Sequence, residues 1–501
     1  MSKFSMSRRD LLKVLGLTAV GAMAAACAPS ATPTAAPKGE EPVETAAPAE
    51  EVGEEKRFKI LHYAQSAEPT DPDVELAEGE VRKVAYQEIA DEFMEMHPNV
   101  EIEWYRFPSG VQRNEWLMAR MTAQDCPDVF WGQPEYIWPH VNKGWVLDFT
   151  DQLNLPNQYV PGNTRWLDQF QEVCIISQTG PDGKLYGINL DGAGVMTNYN
   201  SQAFSEAGIT DEPRTWGEYT EAWEALLEVG YIPFGADLDE SNCCFGLWAS
   251  EQLWNQLVWD RIWDWDDDGN GAVTGIELAR HSQKGDFPDW EAYLKLAHLM
   301  KEWSAYWPHG YEGRVDYRSL YRQGKVAMEM DGNWVVSQYK RDPLPFDYGW
   351  LQFPVITKDI WPASSEKTVR IQGAWGAMQY YVPGYLSQTE PDKISVIFDW
   401  LKFSSKPDNV SAVCKETGLV PLVHGAEGLP ELAPFMVVPD RATPCQGWAS
   451  LGQSAREAEH TLWQKYIPSD MSDAEFLDLA RATWDDEVAK ILEVNPDWVL
   501  E

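Results

Sequence analysis

Apolar and polar residues alternate along this chain in two periods, and the switches between them mark out its elements. Phe58-Lys59-Ile60-Leu61-His62-Tyr63 predicts a first strand, after which Val81, Val84, Ala85, Ile89, Phe93 and Met96 form an apolar stripe at helical spacing. His97-Pro98 ends that helix, and Val100-Glu101-Ile102-Glu103-Trp104 alternates as a second strand. Another helix through Trp116 to Thr122 leads into a short buried strand, Pro127 to Trp131. Strand, helix and strand in this order predict an α/β fold with a parallel sheet. Farther on, Thr215-Trp216-Gly217-Glu218 and Ser472-Asp473-Ala474-Glu475 are capping boxes, each opening an amphipathic helix.

The N-terminus breaks this pattern. Ser7-Arg8-Arg9-Asp10-Leu11-Leu12-Lys13 precedes a short apolar run ending in Ala24-Ala25-Ala26-Cys27. A basic start, an apolar stretch too short to span a membrane and small residues before a cleavage point describe an export signal. The paired arginines resemble a twin-arginine signal, and the alanines before Cys27 resemble a lipoprotein processing box, with Ala24 where leucine is usual. Residues 1–27 are thus expected to be a signal ending at a lipidated Cys27. Residues 28–56 are rich in Ala, Pro, Thr and Glu, too poor in apolar surface to fold, and read as a linker. The remaining stretch exceeds one ordinary core, so two lobes are expected.

Charge narrows the partners. The chain carries a formal −39, and because Lys3, Arg8, Arg9 and Lys13 against Asp10 supply +3, the part beyond Cys27 is near −42. Such a surface is repelled by nucleic acid and by anionic lipid, which leaves the lipid anchor as the membrane contact. Twenty-five tryptophans are far above ordinary usage. Most must be core, although an indole face also suits the C–H face of a sugar ring. Cys126, Cys174, Cys243, Cys244, Cys414 and Cys445 remain after Cys27, which permits up to three disulfides outside the cytoplasm or leaves buried free thiols.

One local motif is highly specific. Asp266 to Glu277 fits a twelve-residue EF-hand calcium loop, with oxygen ligands from Asp266, Asp268, Asn270, the Ala272 carbonyl, Thr274 and a bidentate Glu277. Gly271 permits the sharp turn, and Val273 is the apolar anchor. A structural Ca2+ that does not touch the ligand is expected there.

A larger pattern runs through Phe93 with His97-Pro98-Asn99-Val100, Pro127-Asp128-Val129, Gly144-Trp145-Val146-Leu147-Asp148 and Asp182-Gly183-Lys184-Leu185-Tyr186-Gly187-Ile188. It continues through Asn198-Tyr199-Asn200 with Phe204, Ala207-Gly208-Ile209, Thr215-Trp216, Gly324-Lys325-Val326-Ala327-Met328 with Gly332-Asn333-Trp334, Gly373-Ala374-Trp375-Gly376, and Gly418-Leu419-Val420-Pro421. In this order the segments resemble the family-1, carbohydrate-type extracellular solute-binding proteins that serve ABC importers. The resemblance covers most of residues 57–430.

That resemblance implies a periplasmic-binding-protein-like (class II) fold, with two α/β lobes, a hinge and a ligand cleft between them. It places one lobe at 57–190 plus 373–435 and the other at 191–372 plus 436–501. By position it proposes Trp334, Trp375 and Trp448 as aromatic platforms for a sugar, and Asp191 as a carboxylate on sugar hydroxyls. Tyr63, Gln65 and Ser66 follow the first strand and Trp131 and Gln133 follow the third, at the carboxyl ends where open α/β sheets present ligands. The implied protein is a monomeric, lipid-anchored receptor outside the cell membrane. It passes a mono- or oligosaccharide to permease subunits without chemistry. A peptide, polyol or polyamine receptor and a secreted polysaccharide-degrading enzyme are the alternatives. The enzyme reading lacks a GxSxG, an HExxH, a phosphate loop and a GxGxxG after a strand.

Overall fold

The computed structural model describes residues 56–76, 82–108, 111–239, 244–269, 271–374, 376–436 and 443–500. The signal, Cys27 and all but the last residue of the linker lie outside the described residues. Residues 55–501 form one compact unit.

Its strands are β1 (Phe58–His62), β2 (Val100–Trp104), β3 (Phe130–Trp131), β4 (Gly187–Asn189), β5 (Asp191–Asn200) and β6 (Ile232–Gly235). They continue as β7 (Val326–Gly332), β8 (Tyr348–Leu351), β9 (Gln372–Gly373), β10 (Gln379–Tyr381) and β11 (Val420–Pro421). The predicted strand–helix–strand start is present: β1 and β2 pair in parallel, joined through the helix Ala85–Met96, whose Tyr86, Ile89, Ala90 and Phe93 are buried. His62 bridges Val129 in parallel just before β3.

Beyond this start the expected parallel sheet gives way to a mixed one. β10 lies antiparallel between β3 and β4, and β5 is antiparallel to β7, β8, β9 and β11, while β6 and β7 are parallel. The reason is that β9, β10 and β11 come from late in the chain and return against strands laid down early. Local periodicity does not report such non-local pairing.

Two large apolar cores form. One contains Ile60, Phe93, Trp166, Tyr380, Trp400 and Phe403; the other contains Trp223, Phe234, Trp254, Trp303, Trp463 and Trp484. The first draws on residues 60–190 and 374–423, the second on 195–371 and 445–498. β5 joins them: its Asp191–Gly192 end pairs with β11, and its Val195–Asn200 end with β7 and β8. Seven tryptophans, including Trp223, Trp265 and Trp303, are among the largest fully buried side chains, so the tryptophan excess is chiefly core.

Thr215 and Glu218 make both bonds of a capping box before the helix Trp216–Glu228. Ser472 accepts from the Glu475 N–H before the helix Asp473–Val494. Cys126, Cys174, Cys414 and Cys445 are buried free thiols, so none of the permitted disulfides joins them. The side chains of Cys243 and Cys244 lie outside the description.

Candidate functional site

Beside the second core, where the segment after β3 approaches it, lies a cavity of about 140 Å³, walled in part by Gln133, Trp248, Glu251, Trp334, Gln446 and Arg456. Trp334 opens the helix Trp334–Arg341 two residues after β7 ends, so a rigid central strand sets its position. Its ring folds back over Gly332, where an added Cβ would lie 2.1 Å from the indole; only glycine allows that approach. Beside it, burial pushes the Asp331 carboxyl up, opposed by Arg318, the Gly332 N–H and the Trp334 side chain. Trp248, on the helix Cys244–Trp265, sets its ring 5.6 Å from Trp334 at 52°. Two tilted indoles with amide and charged groups around them supply what a sugar needs: apolar faces for C–H surfaces and directed partners for hydroxyls.

A neighbouring cavity of about 240 Å³ shares Gln446 with the first and is bordered by Trp138, Ile176, Val273 and Pro444. A third hollow of about 520 Å³ sits at the carboxyl end of β1, where Tyr63, Gln65 and Ser66 meet Glu68, Arg106 and Arg113. There Tyr63 stacks on Phe107 at 5.4 Å, and the Arg113 guanidinium lies 5.4 Å from the Trp131 ring centre. Gln65 holds a left-handed backbone conformation (φ 54°), which in a non-glycine residue costs on the order of 1–3 kcal/mol.

The structure therefore gathers Gln133 with Trp334, and Tyr63, Gln65 and Ser66 with one another, although Tyr63 is itself buried. It does not bring Asp191, Trp131 or Trp448 to an open face. Asp191 is fully buried, its carboxylate accepting from the Ala377 and Met378 N–H groups at 3.0 and 2.6 Å. Burial raises it to about 7 against those two bonds. The Asp191 side chain sits where β5 leaves the first core, and it fixes the 376–378 turn; Gly376 is glycine because a Cβ would meet that carboxyl at 2.2 Å. Trp131 is buried with its indole N–H donating to the Gly376 carbonyl at 3.0 Å. Trp448 is 3% exposed and packs against Tyr293 and Trp484, so it belongs to the second core, where it touches only a small internal void. Trp375 lies outside the described residues.

Trp248, Glu251 and Arg456 were not legible beforehand. The helix carrying Trp248 runs from Cys244 to Trp265 without a clear apolar stripe, and tryptophans on such a run look alike whether they face a core or a cleft.

The acidic loop has the geometry its spacing predicts. It follows the helix Cys244–Trp265 and opens the helix Gly275–Lys284. Asp266, Asp268 and Glu277 present oxygens all within 4.8 Å of one another. Glu277 is 4% exposed and is held by N–H bonds from Asp267 and Thr274, both 2.7 Å, so one acid is fixed in advance. Gly269 and Gly271 take left-handed φ of 69° and 89°, which wraps the turn around that point. Asn270 lies outside the described residues. Val273 N–H donates to the Pro444 carbonyl at 2.7 Å, fastening the loop to the segment before Trp448. Gly271 to Gly275 border the 240 Å³ cavity.

Among the described residues no helix is long and apolar enough to cross a membrane. An uncharacterized ABC transporter extracellular-binding protein of Pyrococcus horikoshii is 25% identical over 146 residues, which is 29% of this chain and 31% of that protein. The chain thus spans about a third of that relative's length. Among solved structures, a chitin oligosaccharide binding protein superposes with a TM-score of 0.62 at 18% identity, over 87% of this chain and 99% of the other. A sugar transporter protein from Bacillus licheniformis in complex with stachyose gives 0.57 at 17%, over 86% and 99%. These likenesses establish the two-lobed class II binding-protein fold. Residues 88–433 match the model of the bacterial extracellular solute-binding proteins, and the chain belongs to that family.

Proposed function

We propose that this protein captures a carbohydrate in the cavity walled by Trp248 and Trp334 and delivers it to the permease of an ABC importer, without chemistry of its own. The observation that carries the reading is the Trp248–Trp334 pair set beside Gln133 and Gln446. The ligands named for the two structural neighbours, a chitin oligosaccharide and stachyose, favour the same class. The Ala24-Ala25-Ala26-Cys27 run and the Pro/Glu-rich linker support a body tethered by lipid at Cys27 on the outer face of the membrane. Closure of the lobes on the ligand would then present the form that the permease reads. A thermal-shift screen of mono- and oligosaccharides, polyols, polyamines and peptides tests the reading. Sugars are expected to raise the melting temperature; a rise with peptides, polyols or polyamines alone would reject it.

We further propose that residues 266–277 hold a Ca2+. Asp266, Asp268 and Glu277 would supply its charge and Asn270, Ala272 and Thr274 its remaining oxygens, with an affinity on the order of 10⁻⁴ to 10⁻³ M as in extracellular modules. The ion would brace the loop against the 443–450 segment.

A further inference from the structure

The hollow at the carboxyl end of β1 reverses the charge balance of the chain around it. Acids outnumber bases 79 to 40 along the sequence, yet this wall sets Lys83, Arg106 and Arg113 against Glu68 and Asp71. Both of those acids are engaged. Glu68 pairs with Arg106, which also donates to the Pro69 carbonyl, and Asp71 closes its own turn by accepting from the Asp73 N–H at 2.9 Å. Lys83 Nζ donates to the Ser66 carbonyl at 2.8 Å, a bond to a neutral group.

Arg113 differs from the other two bases. Its guanidinium lies 5.8 Å from the Phe107 ring centre and 5.4 Å from that of Trp131, and among the described residues no carboxylate forms an ion pair with it. Two aromatic rings at this range hold a guanidinium in place and leave its N–H donors for other partners. Beside it stands the hydroxyl of Tyr63, a residue only 2% exposed. Burial pushes that hydroxyl up, against the opposing charge of Arg113, so it keeps its proton and can donate.

A planar guanidinium takes a carboxylate or a similar anion through two parallel N–H···O bonds, each about twice as strong as a bond to a neutral hydroxyl. The Tyr63 hydroxyl adds a third donor to the same point. Trp131 stands two residues before Gln133, which walls the cavity of the indole pair, so their Cα atoms are at most about 7 Å apart. The formal −39 of the chain opposes anions at a distance, but salt screens that field beyond about 8 Å. It therefore weighs on a long polyanion far more than on a small ligand with one or two charges.

We propose that the ligand is a short acidic carbohydrate, whose carboxylate, sulfate or phosphate group is held by Arg113 and the Tyr63 hydroxyl. This rests on the carbohydrate reading above and specifies it.

Calorimetric titration of the exported protein tests it. The probes are the mono- and disaccharides of glucose, galactose and mannose, the corresponding uronic acids, and the 6-sulfates and 6-phosphates. At least one acidic form is expected to bind tenfold or more tightly than its neutral parent, and the arm that does so identifies the anionic group. Arg113→Gln, a change at an exposed position, is expected to lower that affinity at least tenfold. The melting temperature and the affinity for any neutral sugar that binds should stay unchanged. Neutral parents that bind as tightly as every acidic form overturn the inference while leaving a carbohydrate receptor. An acidic advantage that survives in a natively melting Arg113→Gln protein places the anion elsewhere and also overturns it. No binding by any of these sugars rejects both readings.

Discussion

Tyr136 Oη donates to Gln453 Oε1 at 2.9 Å, linking the short helix after β3 to the helix Gln453–Tyr466 on the side of the second core. The same short helix also packs beside the turn Gly447–Leu451. Pro134 of that helix and Ser450 of that turn both border the 240 Å³ cavity, so these contacts favour the arrangement in which it is enclosed. A neutral hydrogen bond contributes about 1 kcal/mol net, so Tyr136→Phe should shift the lobes toward an open form and weaken ligand binding roughly fivefold. Small-angle scattering of the unliganded variant and titration with the ligand found by screening would check this; an unchanged affinity would show that the bond does not bias closure.

Trp334→Ala is expected to weaken sugar binding by roughly 30-fold, the equivalent of burying one less aromatic face at about 2 kcal/mol. Gly332→Ala should reproduce much of that loss, because the new methyl displaces the ring that folds over it. Trp448→Ala should instead lower the melting temperature, since removing a packed core tryptophan costs about 3–5 kcal/mol. If Trp448→Ala abolished binding at full stability, the assignment of this residue to the core would be wrong.

Calcium should raise stability. At a hundred times its dissociation constant a bound ion adds about 2.7 kcal/mol, so a chelator is expected to lower the melting temperature by several degrees. Asp268→Asn should remove the response. Metal analysis of the purified protein showing no calcium, with a melting curve indifferent to chelator, would refute the site.

Stability should fall toward both acid and alkaline pH, for separate reasons. Burial pushes His62 down to about 3, and its Nδ1 accepts from the Trp400 indole N–H at 3.2 Å. Below about pH 6.5 the unfolded chain therefore takes up a proton that the native ring refuses, at up to about 1.4 kcal/mol per pH unit, until about pH 3. Glu459 runs the other way. Burial, and then the charge of Glu251, raise it to about 8, so its contribution is complete below pH 4.5 and is lost as pH rises to about 8. Denaturant midpoints measured from pH 4 to 9 should show His62→Gln with a flatter acid limb and Glu459→Gln with a flatter alkaline limb. Parallel curves for variant and wild type would contradict the assignment.

The chain's periodicity and short motifs were enough for the elements that close on themselves. The Thr215 cap and the acidic loop each depend on close neighbours in the chain, and the β1–helix–β2 start on two successive strands joined by one helix; such interactions leave a direct imprint on spacing. Gln133 and Trp334 were also legible, because both directly follow strands that the pattern or the resemblance located. Long-range packing decided the rest. Asp191 and Trp448 look in the sequence like cleft groups, yet one carboxylate is consumed by two backbone N–H donors and one indole by neighbouring rings. Trp248 and Arg456, some two hundred residues apart, meet in one wall only after the chain returns to the second core. The antiparallel pairing of β5 with β9 and β11, and the approach of the acidic loop to the 240 Å³ cavity, follow from the same cause. Sequence spacing encodes which face a residue takes on its own element; which element arrives opposite is settled by burial of the two cores together.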